Sequence, residues 1–177
     1  GVYEIGNGNV STANEWLTIT KASNTDRDNV IINEGGTATY TNLLRIYNVA
    51  IRSDGSNDYH FDSWPDHYPT WLWIDTCNAY GPDRHLNNVC PIWRNDNWYC
   101  TDTYIHDVDI AMRFADIIRN VDVEHIGDDC CFNCDMVINL TLNDQDPGNT
   151  YDHADGWQNG GRAMENLVEE GFITGVL

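Results

Sequence analysis

One short phrase returns seven times along this chain: an Asn, Asp or Thr, an apolar or small residue, one intervening residue, and usually another apolar one. It reads NVII at Asn29, NVAI at Asn48, TCNA at Thr76, DTYI at Asp102, NVDV at Asn120, NLTL at Asn139 and NLVE at Asn166, at intervals of 19, 28, 26, 18, 19 and 27 residues. Each phrase alternates side chains over a few residues, which is the period of a short strand and not of a helix. No capped helix-period stretch is long enough to supply the crossovers of a doubly wound parallel sheet. The architecture that remains is a solenoid, whose strands, separated by Gly, Asn and Asp turns, stack in parallel and bury their apolar faces on their neighbours. Asn recurring at one register then forms hydrogen-bonded ladders between layers. A β-sandwich, the competing architecture, does not require the Asn to return at one register.

From about Trp16 to Leu177 the pattern resembles the right-handed parallel β-helix, the fold of pectate-lyase-like proteins. The expectation is an all-β solenoid of about 7–8 rungs. The length of 177 residues, with 41% apolar and 11% aromatic residues, fits a single domain over 1–177 with a substantial core. The chain starts at Gly1 without an apolar leader and ends in EGFITGVL, inside an apolar run, so it reads as a piece of something longer.

Charge removes one class of partner. Nine Lys plus Arg face 28 Asp plus Glu, a formal charge of −19, with Lys21 the only lysine. Nucleic acid binding needs cations that displace counterions from phosphates, so nucleic acid is not an expected partner. No run of about 18 apolar residues exists, so membrane insertion is not expected. Six cysteines (Cys77, Cys90, Cys100, Cys130, Cys131, Cys134) are an even number. They read as disulfides of an extracellular or cell-surface protein, or as buried thiols. A Cys130–Cys134 or a Cys77–Cys100 bond is compatible with the spacing, and of the adjacent pair Cys130 and Cys131 one is expected to point inward and one outward.

The unequal intervals locate insertions at residues 53–70, 80–98 and 143–160, which the common register predicts to leave the scaffold at similar corners. The first two are rich in rings. Trp64, Trp71 and Trp98 are candidate platforms for a sugar ring, since an aromatic face is flat and apolar with a polar edge; burial against the scaffold is the competing role. The third insertion, NDQDPGNTYDHADGWQ, holds Asp144, Asp146 and Asp152 around a turn, a spacing that could ligate calcium through oxygen. It also places His153, Asp155 and Trp157 where they could contact a substrate.

Carboxylates cluster where two short intervals meet. Asp107 and Asp109 follow one strand phrase, and Asp128 and Asp129 follow the next. Strands about 4.8 Å apart would separate such groups by roughly 5 to 10 Å, the range over which paired carboxylates hydrolyse glycosidic bonds. IRN (Ile118–Asn120) followed by GDDC (Gly127–Cys130) is similar to the polygalacturonase family of glycosidases. That resemblance implies acid/base roles for Asp128 and Asp129. Two functions follow: a secreted or surface protein that binds, and in one version hydrolyses, polysaccharide, with self-association through the solenoid ends; or a structural or adhesive solenoid segment, stabilised by calcium.

Overall fold

The computed structural model describes residues 2–4, 15–33, 43–53, 71–86, 89–92, 97–146, 156–158 and 163–170. Among them are fifteen strands and one three-residue 3-10 helix, Arg27–Asn29. The strands are β1 (Val2–Glu4), β2 (Leu17–Thr20), β3 (Ile31–Asn33), β4 (Leu43–Tyr47), β5 (Ala50–Arg52), β6 (Trp71–Asp75), β7 (Asn78–Tyr80) and β8 (Trp98–Thr101). They continue as β9 (Tyr104–Val108), β10 (Met112–Arg113), β11 (Ile117–Ile126), β12 (Cys131–Phe132), β13 (Met136–Gln145), β14 (Trp157–Gln158) and β15 (Ala163–Glu170). No helix among the described residues is long and apolar enough to cross a membrane.

All pairing is parallel, and the strands form one large curled sheet with a small second one beside it. A first ladder runs β2-β4-β6-β8 and a second runs β1-β3-β5-β7-β9. Both join β11, whose first half pairs with β8 and whose second half pairs with β9, and β13 and β15 extend it. A third set, β10-β12-β14, forms its own small sheet. In the second ladder Ile31 pairs with Ala50, Ala50 with Asn78, Asn78 with Tyr104, Tyr104 with Asp122, Asp122 with Thr141 and Thr141 with Val168. Those steps are 19, 28, 26, 18, 19 and 27 residues, the intervals of the repeated phrase.

The phrase's first residue sits at the corner between the two ladders, and the backbone there explains its identity. Asn48, Thr76, Asp102, Asn120 and Asn139 all have φ between 51° and 57°. This left-handed conformation disfavours most side chains and is tolerated best by Gly, Asn and Asp. Side-chain amides then link neighbouring corners: Asn139 Nδ2 donates to Asn120 Oδ1, and Asn120 Nδ2 to Asp102 Oδ1, each at 2.9 Å. Asn29 does not belong to this column, because it ends the 3-10 helix. Leu17 pairs with Leu44, a step of 27, where Ile31 pairs with Ala50, a step of 19. The difference of eight residues is an insertion at this first corner, carrying the helix.

Inward positions alternate along each strand and fill one continuous core. Leu44, Ile46, Leu72, Ile74, Trp98, Cys100, Ile105, Ile118, Val121, Val137 and Leu142 are fully buried in it. The six cysteines lie in the interior as free thiols, so neither proposed disulfide is present. Cys130 and Cys131 both point inside, with their sulfurs 4.0 Å apart. Strand alternation fails for this pair because Cys130 occupies the bend before β12. Burial pushes the Cys77 thiol up to about 11 and the Cys90 thiol up to about 12, and raises those of Cys100 and Cys134. Cys131 is raised first by its contact with Cys130.

The insertions leave where the second-ladder strands end, after β5, β7 and β13. Residues 54–70 and most of 147–160 lie outside the described residues. The insertion after β7 folds back as a strap. Gly81 permits its departure, since a Cβ there would lie 2.7 Å from both Asp107 O and Val89 Cγ1. Further on, the Arg84 carbonyl oxygen occupies the space a Cβ on Gly127 would need. The glycine of the GDDC segment is therefore required by the strap that crosses it.

Candidate functional site

Outward positions of the first ladder assemble an aromatic face. In β4, Arg45 and Tyr47 face outward; in β6, Trp71 and Trp73; in β8, Tyr99. The register sets Arg45 opposite Trp73 and Trp73 opposite Tyr99. Cross-strand neighbours of this kind stabilise a sheet by ring contact, and large flat side chains suit the pleated surface. Trp71 leans over Tyr99, with centroids 5.3 Å apart and planes at 36°. Trp16, from the segment leading into β2, meets Trp73 edge-on at 5.8 Å. All these rings keep part of their surface in solvent.

The polar atoms of this face bond one another. The Arg45 guanidinium lies 4.5 Å from the Tyr47 ring centroid and 4.3 Å from that of Trp73. Its Nε donates to Asp75 Oδ2 at 3.1 Å, and Nη2 binds the same oxygen. Asp75 Oδ1 accepts from Thr101 Oγ1 at 3.0 Å and Thr76 Oγ1 at 3.1 Å. The Trp73 indole N–H donates to Thr101 Oγ1 at 2.8 Å. Asp75 is 5% exposed, so its charge is buried against a cation that is itself held between two rings.

A second cluster occupies the corner where the insertions leave. Asp107, His125 and Asp144 follow one another there with φ of 54°, 53° and 57°. His106 Nδ1 lies 2.6 Å from Asp107 Oδ2, and its Nε2 lies 3.1 Å from Asn78 Oδ1. Tyr80 and Tyr104 stack on the His106 ring at 5.4 and 4.7 Å. His125 lies within 3.6 Å of Asp107, 3.5 Å of Glu124 and 3.3 Å of Asp144. Tyr104 donates its hydroxyl to Glu124 at 2.5 Å; burial, followed by that bond and the charge of Glu124, raises its pKa. Arg84 of the strap closes the line, pairing with Asp144 at 3.1 Å and Asp146 at 3.2 Å.

The four candidate catalytic carboxylates separate in this geometry. Asp107 is 45% exposed in the histidine line. Asp109 and Asp129 are 7% and 3% exposed. Asp128 is half-buried; its N–H donates to Asp109 O at 2.7 Å, and its carbonyl accepts from Gln145 Nε2. Asp109 and Asp128 are thus neighbours across layers, whereas Asp107 stacks on His125. Of the candidate platforms, Trp71 faces solvent. Trp98 is fully buried with its indole N–H on Arg113 O at 2.8 Å, so its ring has no free face. Trp157 lies in β14 beside Cys131, its side chain outside the described set. Trp64, Asp152, His153 and Asp155 also lie outside the described residues. Asp144 and Asp146 hold Arg84, which a calcium ion at these carboxylates would have to displace. Among the described residues no three His, Cys, Asp or Glu side chains are grouped to hold a metal ion.

Sequence reasoning named Asp107 as a carboxylate but missed the Arg45–Trp73–Tyr99 column and the histidines His106 and His125 that flank Asp107. The intervals that carry the Asn column would have found both. Steps of 28 and 26 lead from Arg45 to Trp73 to Tyr99, and steps of 18 and 19 from Asp107 to His125 to Asp144. No family model, no curated protein and no solved structure matches the chain.

Proposed function

We propose that this protein is a right-handed parallel β-helix of the cell surface or extracellular space that binds polysaccharide on the aromatic face of its first ladder. The carrying observation is the column Arg45–Trp73–Tyr99, with Trp16, Tyr47 and Trp71 around it, on consecutive parallel strands. Partly exposed rings fixed on rigid strands present apolar planes to a sugar without the ordering penalty that mobile loops incur. The repeated intervals and the three parallel strand sets support the closed β-helix. An oxidising compartment is compatible with six free thiols, because all six are buried in the interior, away from oxidants in solvent.

Cleavage is the weaker branch of this reading. Two of the four carboxylates first considered for it are interior, and Asp107 is engaged by two histidines. The test is binding of the purified chain to a panel of soluble polysaccharides by titration calorimetry, with reducing-end release followed in parallel. Trp73→Ala should weaken binding about tenfold or more, a loss of roughly 1.4 kcal/mol. Absence of binding to any glycan refutes the proposal.

A structural or adhesive solenoid segment is the second reading, favoured by Leu17. This residue takes an inward register position in β2, whose one partner among the described strands is β4, yet it is 50% exposed. Self-association through that end would bury it, and light scattering against concentration would reveal the assembly.

A further inference from the structure

We infer that the glycan this face takes is uncharged, and that it lies along the direction in which the strands stack. The inference rests on the polysaccharide reading above and adds the substrate class.

Charge is the first ground. The cation at the centre of the face, Arg45, is committed to Asp75 and held between Tyr47 and Trp73. A uronate carboxylate arriving there would have to compete with a carboxylate already in place and buried. Arg119, whose register position continues the Tyr47–Asp75–Thr101 row, has Asp102 at 3.8 Å. The protein as a whole carries a formal charge of −19, which repels a polyanion at long range. Long-range repulsion and local neutralisation act in the same direction.

Hydrogen bonding is the second. The indole N–H of Trp73 and the hydroxyls of Thr76 and Thr101 are spent within the face. None of these three is left for an anionic group that needs several donors, whereas the ring planes around them match the apolar C–H face of a pyranose.

Spacing is the third. The rings occur from the segment before β2 through β4 and β6 to β8. Parallel strands are about 4.8 Å apart, so the rings cover roughly 14 Å along the stacking direction. A layer step is close to the length of one sugar in an extended β-linked chain, so successive residues of such a chain meet successive strands.

The experiment titrates the full chain with a soluble neutral β-linked glucan, a neutral xylan and polygalacturonate, at low and high salt. The expected result is binding of a neutral glycan at least about tenfold tighter than polygalacturonate, with little salt dependence. Asp75→Asn, which leaves Arg45 without its counter-charge, should bring polygalacturonate binding up by about tenfold. Thermal melting first verifies that this variant folds. If it does not, Arg45→Gln replaces it, and should leave polygalacturonate binding unchanged while weakening neutral binding through lost stacking.

Preference for polygalacturonate in the unaltered protein, or its loss in Arg45→Gln, would overturn the inference and leave polysaccharide binding standing. Binding of no glycan in either class would overturn the underlying reading as well.

Discussion

The carbonyl oxygen of Arg84 sits where a Cβ on Gly127 would be, so the strap after β7 and the corner after β11 fit together only with glycine at 127. Asp109 Oδ1 lies 3.0 Å from the same point, which leaves little room to yield on the other side.

Gly127→Ala should therefore destabilise the protein by about 1–3 kcal/mol through overpacking against backbone. Arg84→Ala removes the ion pairs to the half-exposed Asp144 and Asp146 but leaves the strap backbone, and should cost about 0–1 kcal/mol. Urea unfolding of the two variants measures the difference. A Gly127→Ala cost no larger than that of Arg84→Ala would show that the strap is not seated on this corner.

The repeat was legible because it is a backbone property: a corner with positive φ in each layer selects Asn or Asp, and the steps between such residues equal the strand register. The first corner was misread for the same reason, since Asn29 supplies the residue type without the conformation. The aromatic face was only half legible. Trp71 and Trp98 look alike in the sequence, and alternation decides between them: Trp71 falls on the outward register of β6 and Trp98 on the inward register of β8. The surroundings of the Asp-Asp pair were not legible, because Gly127 answers to the strap and Asp129 to the interior, demands set by residues distant in sequence.

Corner chemistry gives a stabilising prediction. Thr76 is β-branched and holds φ of 56°, a conformation that costs an ordinary residue about 1–2 kcal/mol. Thr76→Asn should raise stability by about 0.5–1 kcal/mol, part of the gain being offset by the lost bond from Thr76 Oγ1 to Asp75. Asn120→Ala should lower it by about 1–2 kcal/mol, and Asn120→Gly by less, because glycine restores the backbone and not the ladder. Melting temperatures of the three variants check the order, and a destabilised Thr76→Asn would contradict it.

Buried thiols make stability fall in alkali. Cys77 and Cys90 are raised in the folded protein from 9.0 to about 11 and about 12, so above pH 9 the unfolded chain has lost protons that the folded chain keeps. Their contribution is complete below pH 9 and is lost as pH climbs through that window, at about 1.4 kcal/mol per pH unit per thiol. Unfolding free energies on either side of pH 9 should show this slope, and Cys77→Ala should reduce it. In native protein a thiol reagent should label none of the six at neutral pH, and all six after denaturation. Rapid labelling of the native chain would mean that the interior opens.

Trp71 and Trp98 should part company when each is replaced by alanine. Trp98 is fully buried, its indole N–H satisfied by Arg113 O and its backbone N–H by Asp116 Oδ2 at 2.8 Å. Trp98→Ala leaves a cavity and an orphaned carbonyl, and should cost about 3–5 kcal/mol. Trp71 is half-buried and touches Tyr99 on the outer surface, so Trp71→Ala should cost about 1 kcal/mol in stability. Its effect on glycan affinity should be the larger one, about tenfold, because it removes a plane from the face without disturbing the layers beneath. Calorimetric titration beside urea unfolding separates the two: Trp98→Ala is expected to shift the unfolding curve, and Trp71→Ala the titration of the proposed glycan. If Trp71→Ala instead unfolds the protein, the outer rings serve the scaffold, and the adhesive reading gains at the expense of the glycan-binding one.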